Sequence, residues 1–310
     1  MRDTCYVITG PTASGKSSLA LQIAERLGCE IVCMDSMQIY TGMDIGTAKP
    51  TREERTRIPH HMLDVVSPME NYSVSMYQSA AEACCAQILS RGKTPLFVGG
   101  TGFYLRALRH PMAMGDTAAD PEIRAAMERR AEKEGGREAL YQELSRVDPP
   151  TAARLHVNDV RRVIRALEIY AVTGIPMSAQ RQIEGEARYA YRVMTLDMDR
   201  HTLYTRIDAR VDQMMQDGLA QEVQGLLAAG VDPACQAMQG IGYKEMVPCV
   251  RGESTPAEAR DLICLHTRHY AKRQLTWMRR EENVLWTDAL SEGLLTAALQ
   301  YFAGASSERG

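Results

Sequence analysis

An eight-residue segment near the N-terminus has the composition of a phosphate-binding loop. It reads G-P-T-A-S-G-K-S and fits the pattern G-x-x-x-x-G-K-[ST], between an apolar run and a stretch with helical spacing. In that setting backbone N–H groups and a helix N-terminus converge on phosphate oxygens. The lysine adds a positive charge and the last serine offers its hydroxyl to Mg²⁺. The segment therefore predicts a diphosphate site formed by Gly10, Pro11, Thr12, Ala13, Ser14, Gly15, Lys16 and Ser17.

Two other polar groups follow strand-like runs. Asp35 comes after residues 31–34, and Thr101 lies in a glycine-rich segment after residues 95–98. Because the carboxyl ends of parallel strands meet at one sheet edge, we expect both residues to share a crevice with the phosphate loop. A carboxylate across from a phosphate loop is placed to act as a base toward an acceptor group. This arrangement favours a transferase over a hydrolase.

A nucleotide-hydrolysing motor would require an acidic residue at the end of a core strand to hold Mg²⁺. The run Pro95–Val98 leads instead into Gly99 and Gly100. Asp197, after residues 192–196, is the remaining candidate, so the motor interpretation is weakened and stays open.

The elements that must position these groups alternate along the chain. Strand-like runs occur at residues 5–9, 31–34, 95–98, 192–196 and 284–286, with helical stretches between them. This alternation predicts an α/β fold, a P-loop NTPase-like parallel sheet flanked by helices. From about residue 115 to 190 the strand signals vanish and charge rises. We therefore predict a catalytic core at 1–114 and 191–310 and a helical insertion domain at 115–190.

Positive charge is local. The 36 Lys and Arg residues against 39 Asp and Glu give a net charge of −3, which argues against a uniformly basic nucleic-acid coat. In the most basic stretch, residues 256–280, Tyr270, Arg273, Gln274 and Trp277 share one helix side. Cations mixed with aromatic rings suit unpaired nucleotides, but a structural helix whose rings pack on the sheet has the same periodicity. Arg206 and Arg210, four residues apart, share a helix face that can clamp an anion.

The sequence offers no sign of a membrane association. No apolar stretch approaches the roughly 18 residues that span a bilayer, and the first three residues lead directly into a strand. The eight cysteines lack zinc-site spacing and are expected to be reduced. We therefore expect a cytoplasmic protein.

Taken together, the motifs resemble the tRNA dimethylallyltransferase family in its bacterial form. The resemblance covers residues 7 to 277 and rests on eight segments in the family's order: Gly10–Ser17, Asp35–Tyr40, Asp44–Pro50, His60–Asp64, Val98–Tyr104, Asn158–Ile169, Gly240–Tyr243 and Lys272–Trp277. It implies transfer of a dimethylallyl group from its diphosphate to N6 of adenosine 37, beside the anticodon, with Mg²⁺ as cofactor and pyrophosphate released.

The resemblance also implies residue roles. Asp35 would be the base, Thr101 would lie at the same centre, Arg206 and Arg210 would face the diphosphate, and Ser17 would contact the metal. The partners would be dimethylallyl diphosphate and the anticodon stem-loop of tRNA, gripped by the insertion, and we expect a monomer. The tRNA path would be lined by Asp35, Ser36, Met37, Gln38, Thr101, Arg161, Arg162, Val163, Ile164, Arg165, Gln239, Gly240, Ile241, Gly242, Tyr243, Arg273 and Trp277.

Three alternatives remain from the residues themselves. An adenylate dimethylallyltransferase acting on free nucleotide would have the same crevice, but it would need neither the insertion nor the basic helix. An ATP-dependent small-molecule kinase would consume ATP. A non-catalytic tRNA-binding protein would leave intact Lys16, Asp35 and Thr101 unexplained.

Overall fold

The computed structural model describes residues 2–110, 120–180 and 187–304. Its strands are β1 (Thr4–Thr9), β2 (Cys29–Cys33), β3 (His60–His61), β4 (Thr94–Val98), β5 (Ala190–Asp197) and β6 (Val284–Asp288). They form one sheet in the order β3-β2-β4-β1-β5-β6, and every neighbouring pair is parallel. The predicted fold class is confirmed. The sequence missed β3 because two residues carry no periodic signal.

Helices occupy the connections between the strands. In chain order they are α1 (Lys16–Leu27), α2 (Arg52–Arg57), α3 (Val74–Ser90), α4 (Gly102–Arg109), α5 (Pro121–Ala131), α6 (Gly136–Val147), α7 (Pro149–Ala152), α8 (Val160–Thr173), α9 (Met177–Gln180), α10 (Arg200–Gln216), α11 (Leu219–Ala228), α12 (Tyr243–Val250), α13 (Pro256–Met278) and α14 (Leu294–Ala303). Among the described residues, none of these helices is both long and apolar enough to cross a membrane.

The sheet is covered on both faces, as a parallel sheet requires. Successive side chains of β1 point to opposite faces, so Cys5 and Val7 belong to one hydrophobic core and Tyr6 and Ile8 to the other. Buried residues of α1 and α14 pack in the second core. Those of α3, α4 and α10–α13 pack in the first. The two cores hold the strand ends in a fixed register.

Close approach of neighbouring backbones positions the loops at the carboxyl edge of the sheet. A Cβ on Gly10, whose φ is +141°, would lie 2.5 Å from the carbonyl oxygen of Leu196. A Cβ on Gly99 would lie 2.0 Å from the carbonyl oxygen of Met34. Only glycine permits both contacts. The loops that follow β1 and β4 are therefore pressed against β5 and against the segment that leads to Asp35.

The chain divides into two compact units, Met1–Arg109 with Arg188–Gly310, and His110–Ala187. The predicted boundary at 114/115 lies outside the described residues, and Ala190, predicted within the insertion, already begins β5. Helices α5 to α9 form the second unit around its own hydrophobic core. The Asp120 side chain caps α5 by accepting the N–H groups of Glu122 and Ile123.

Candidate active site

The loop between β1 and α1 has the shape of an anion-binding nest. Ala13 and Gly15 adopt left-handed backbone angles, with φ of +64° and +91°, and no side chain among the described residues caps α1. The first N–H groups of that helix are therefore left for an anion. The Ser14 hydroxyl is buried and has no hydrogen-bond partner in the described part of the chain. A phosphate oxygen would satisfy it, so the loop fits a diphosphate.

Three cations line the cavity beside this loop: Lys16, Arg206 and Arg210. Burial and the charge of Arg210 lower the pKa of Lys16 to about 7, against a smaller opposing effect of Asp35. Burial also lowers the pKa of Arg210. A Cβ on Gly15 would lie 3.6 Å from the Arg206 guanidinium, which places that group directly beside the loop. The cavity thus holds excess positive charge suited to a polyanion.

Some groups of the loop are already engaged within the protein. The Thr12 N–H donates to Gln274 Oε1 at 2.9 Å, and the Ser14 N–H donates to the carbonyl of Pro11 at 3.3 Å. Lys16 Nζ donates to the same carbonyl at 2.6 Å. The N–H groups of Thr12 and Ser14 are therefore used within the protein, so the loop does not offer every successive N–H group to phosphate as the motif predicts.

The two carboxylate oxygens of Asp35 have different environments. Oδ1 accepts the backbone N–H groups of Met37 at 2.8 Å and Gln38 at 3.4 Å, which caps the turn after β2. In the described part of the chain, no hydrogen bond or ion pair engages Oδ2. One oxygen therefore fixes the orientation of the carboxylate, and the other is available to accept a proton.

Thr101 lies at the Asp35 turn. Its Oγ1 accepts the Ser36 N–H at 3.1 Å, and the phenol of Tyr270 lies close to both Thr101 and Asp35. Burial, followed by the charge of Asp35, raises the pKa of Tyr270. The phenol therefore stays protonated beside the carboxylate.

Asp35 stands between two cavities of the first unit. One contains Lys16 and Ser17 together with apolar side chains such as Leu21 and Val98. The other contains Ser36, Met37, Gly240, Ile241 and Arg273. Asp35, Thr12, Arg210 and Tyr270 line both. The carboxylate can therefore face a group held in either cavity.

Three residues that the sequence predicts to contact RNA are buried in the structure, so that prediction is wrong for their side chains. Val163 and Ile164 are 1% and 3% exposed in the core of the helical unit, and Tyr243 is fully buried in the first unit. Their side chains face the protein interior because they lie on the apolar sides of α8 and α12. They have no surface to offer RNA.

Two predicted amides are also used internally. Gln38 Nε2 donates to the carbonyls of Thr47 and Ala48 at 3.0 and 3.2 Å, and its Oε1 accepts from the Cys33 thiol. Gln239 Nε2 donates to the carbonyl of Pro233 at 2.9 Å. Both amides stabilise loops, and both residues also line the cavities beside Asp35, Gln38 the first and Gln239 the second.

The arginines of α8 differ in availability. Arg161 and Arg162 are exposed. Arg165 donates to the fully buried Glu168 at 2.9 Å, as does Arg124 at 2.8 Å. Although burial acts in the opposite direction, these hydrogen bonds lower the pKa of Glu168. Arg165 is therefore tied to the unit's own core, and Arg161 and Arg162 remain available for phosphate contacts.

Sequence reasoning gave no site role to two residues that the structure places here. Phe103 is 58% exposed and packs against Trp277, with ring centroids 5.1 Å apart. Gln274 is buried and bonds both Thr12 and Gly100. The signals were an aromatic residue directly after the glycine-rich loop and an amide on the aromatic side of α13. A Cβ on Gly102 would lie 2.5 Å from the Trp277 ring, so that ring rests on the loop itself.

The donor set suits a divalent cation held mostly by a substrate. Among the described residues no three His, Cys, Asp or Glu side chains cluster as metal ligands. Mg²⁺ commonly takes one or two protein ligands and completes its shell with phosphate oxygens and water. The exposed Ser17 hydroxyl, at the start of α1, fits that role.

Comparisons with known proteins agree on one family. A model described as IPP transferase matches residues 38–281, and one described as isopentenyl transferase matches residues 3–66. The chain is 47% identical to tRNA dimethylallyltransferase 1 of Trichlorobacter lovleyi, over 98% of this chain and 100% of that one. It is 46% identical to the tRNA dimethylallyltransferase of Geobacter metallireducens, over 91% of each.

Solved structures are similar over the same extent. The tRNA isopentenylpyrophosphate transferase of Bacillus halodurans is 41% identical, with a TM-score of 0.73 over 99% of this chain and 98% of that one. A eukaryotic dimethylallyltransferase described as acting on tRNA is 29% identical, with a TM-score of 0.83 over 99% of this chain and 79% of that one.

Proposed function

Because the chain belongs to the IPP transferase family of tRNA dimethylallyltransferases, we propose that it transfers a dimethylallyl group from dimethylallyl diphosphate to tRNA. The acceptor is N6 of adenosine 37 in the anticodon loop, and pyrophosphate is released. The observation that carries the proposal is the place of Asp35, which lines both the phosphate-loop cavity and the cavity beside α13.

In the proposed reaction the diphosphate lies on the nest at the start of α1, with the apolar residues of the first cavity around the allyl group. As the bond between the allylic carbon and the bridging oxygen breaks, negative charge grows on the diphosphate. Lys16, Arg206 and Arg210, which line the cavity beside the loop, stabilise that charge. Ser17 would hold Mg²⁺ together with the diphosphate, and the bound metal would supply further charge neutralisation.

The acceptor amine is a weak nucleophile because its lone pair is delocalised into the adenine ring. Asp35 Oδ2 accepts the N6 proton as the new bond between nitrogen and the allylic carbon forms. The adenine must unstack from its neighbouring nucleotides to reach this carboxylate, and unstacking costs least free energy in a single-stranded loop. Arg273, Trp277 and the exposed Phe103 offer cationic and stacking contacts to the neighbouring nucleotides.

A direct assay tests the proposal. Labelled dimethylallyl diphosphate is incubated with Mg²⁺ and either unmodified tRNA or free AMP, and ATP consumption is followed in parallel. We expect label in tRNA alone, with ATP unchanged. Equal labelling of AMP supports the free-nucleotide enzyme, and ATP turnover at the rate of transfer supports a kinase or motor.

A further inference from the structure

The carboxylate of Glu222, on α11, accepts four hydrogen bonds from two distant segments. Oε2 accepts the backbone N–H groups of Asp44 and Ile45, both at 2.8 Å. Oε1 accepts the N–H of Gly46 at 3.1 Å and the hydroxyl of Tyr243 at 2.6 Å. Consecutive backbone N–H groups of this kind form an anion-binding concavity. Here a side chain of the same protein fills it and joins residues 44–46 to the start of α12.

The junction between residues 44–46, Glu222 and Tyr243 is closely packed. A Cβ on Gly46 would lie 2.6 Å from the Tyr243 ring, so the backbone of residue 46 rests directly on that ring. Burial, followed by the charge of Glu222, raises the pKa of Tyr243. The phenol therefore remains a donor, and the carboxylate has four donors around its two oxygens.

The same loop is held from its other end by the Asp35 turn. Gln38 donates to the carbonyls of Thr47 and Ala48, and Asp35 Oδ1 accepts the N–H of Gln38. Residues 44–48 thus connect Glu222 to the segment that carries the base. A displacement at Glu222 would reach Asp35 through these hydrogen bonds and the short backbone segment between them.

Residues on both sides of the junction line the cavity beside α13. Gly46 and Thr47 come from the loop, and Gly240 and Ile241 come from the turn before α12. Resting on the proposed function, we infer that Glu222 is a positioning residue. Glu222 sets the distance between the loop at residues 44–48 and the turn before α12. This distance controls how closely the acceptor adenine can approach Asp35. Within the described residues, none of the hydrogen bonds of Glu222 involves the phosphate loop.

Glu222→Gln tests this inference because the amide NH₂ would face backbone N–H donors. We expect kcat/KM for tRNA to fall at least about tenfold, since the acceptor must be aligned within a fraction of an ångström. The KM for dimethylallyl diphosphate should stay within about threefold, and the amides of Asp44–Gly46 should exchange hydrogen faster. Glu253→Gln removes the same charge from an exposed site and should match the wild type.

Tyr243→Phe, which leaves the three N–H bonds intact, should give a smaller loss and keeps the test usable if Glu222→Gln unfolds. Unchanged exchange at residues 44–46 would show that Glu222 does not hold the loop. Faster exchange with tRNA kinetics within twofold of wild type, or an equal loss against the diphosphate, would overturn the role in acceptor access. A wild-type protein without transfer activity would instead overturn the proposed function, while exchange would still report on Glu222.

Discussion

Gln274 accepts a hydrogen bond from the backbone N–H of Thr12 at 2.9 Å, although 262 residues separate them. The other end of the same amide donates to the carbonyl of Gly100 at 3.0 Å. A Cβ on Gly100 would lie 1.9 Å from this nitrogen, so the fit depends on glycine there. One buried side chain of α13 therefore sets the spacing between the phosphate loop and the glycine-rich loop that carries Thr101.

Replacing this amide should damage both loops. Gln274→Glu keeps an acceptor for Thr12 but sets a carboxylate oxygen against the Gly100 carbonyl, at a cost of roughly 1–3 kcal/mol in unfolding free energy. We expect kcat/KM for dimethylallyl diphosphate to fall about tenfold or more in steady-state kinetics. Thermal melting of the same samples measures the loss of stability. Gln224→Glu, on an exposed face of α11, is the control. A variant with normal kinetics would show that the bridge is not needed for catalysis.

Asp35→Asn should separate orientation from proton transfer. The amide oxygen can still accept the N–H groups of Met37 and Gln38, so the turn is preserved, but the base is lost. We expect kcat to fall by roughly 10²–10⁴ with little change in tRNA affinity. Single-turnover kinetics and filter binding measure the two effects. A loss below about fivefold would place the base elsewhere.

Diphosphate binding should weaken as pH rises above 7. The pKa of Lys16 is lowered to about 7, and a bound polyanion favours the charged amine. Binding above that pH therefore takes up a proton. The Kd for dimethylallyl diphosphate should rise by up to about tenfold per pH unit between pH 7 and 9, measured by calorimetry. The arginine of Lys16→Arg stays charged over this range, so its Kd should change with pH only as far as the diphosphate itself titrates. Identical curves for the two proteins would contradict the prediction.

Ser17→Ala should raise the Mg²⁺ concentration needed for half-maximal transfer by about tenfold, because one of few protein ligands is removed. Chelation of the metal should abolish transfer in both proteins. Ser18→Ala changes an exposed neighbour and serves as the control. An unchanged Mg²⁺ requirement would mean that the ion is held without Ser17.

The exposed face of α13 should contribute to binding of tRNA but not of dimethylallyl diphosphate. Arg273→Ala with Trp277→Ala should raise the KM for tRNA by one or two orders of magnitude, since about 1–3 kcal/mol of stacking and a phosphate contact are lost. The salt dependence of the KM should flatten, and the KM for dimethylallyl diphosphate should change little. If tRNA kinetics are unaltered, the acceptor uses a different surface.

Local sequence determined the secondary-structure elements and the site for the diphosphate substrate. The phosphate loop, Asp35 and Thr101 each follow an apolar run, and parallel strands bring such positions to one edge whatever the rest of the chain does. The helical spacing around α10 was sufficient to put Arg206 and Arg210 on one face, because a residue's direction on a helix follows from its number.

Only the tertiary structure decided what the remaining polar groups do. Gln38 and Tyr243 carry groups that suit RNA, but packing against the loop at residues 44–48 and against Glu222 uses them internally. Gln274 and Glu222 meet their partners across 262 and about 180 positions of sequence. Contacts of that separation leave no local pattern, because they depend on how whole helices dock on the sheet rather than on the spacing of neighbouring residues.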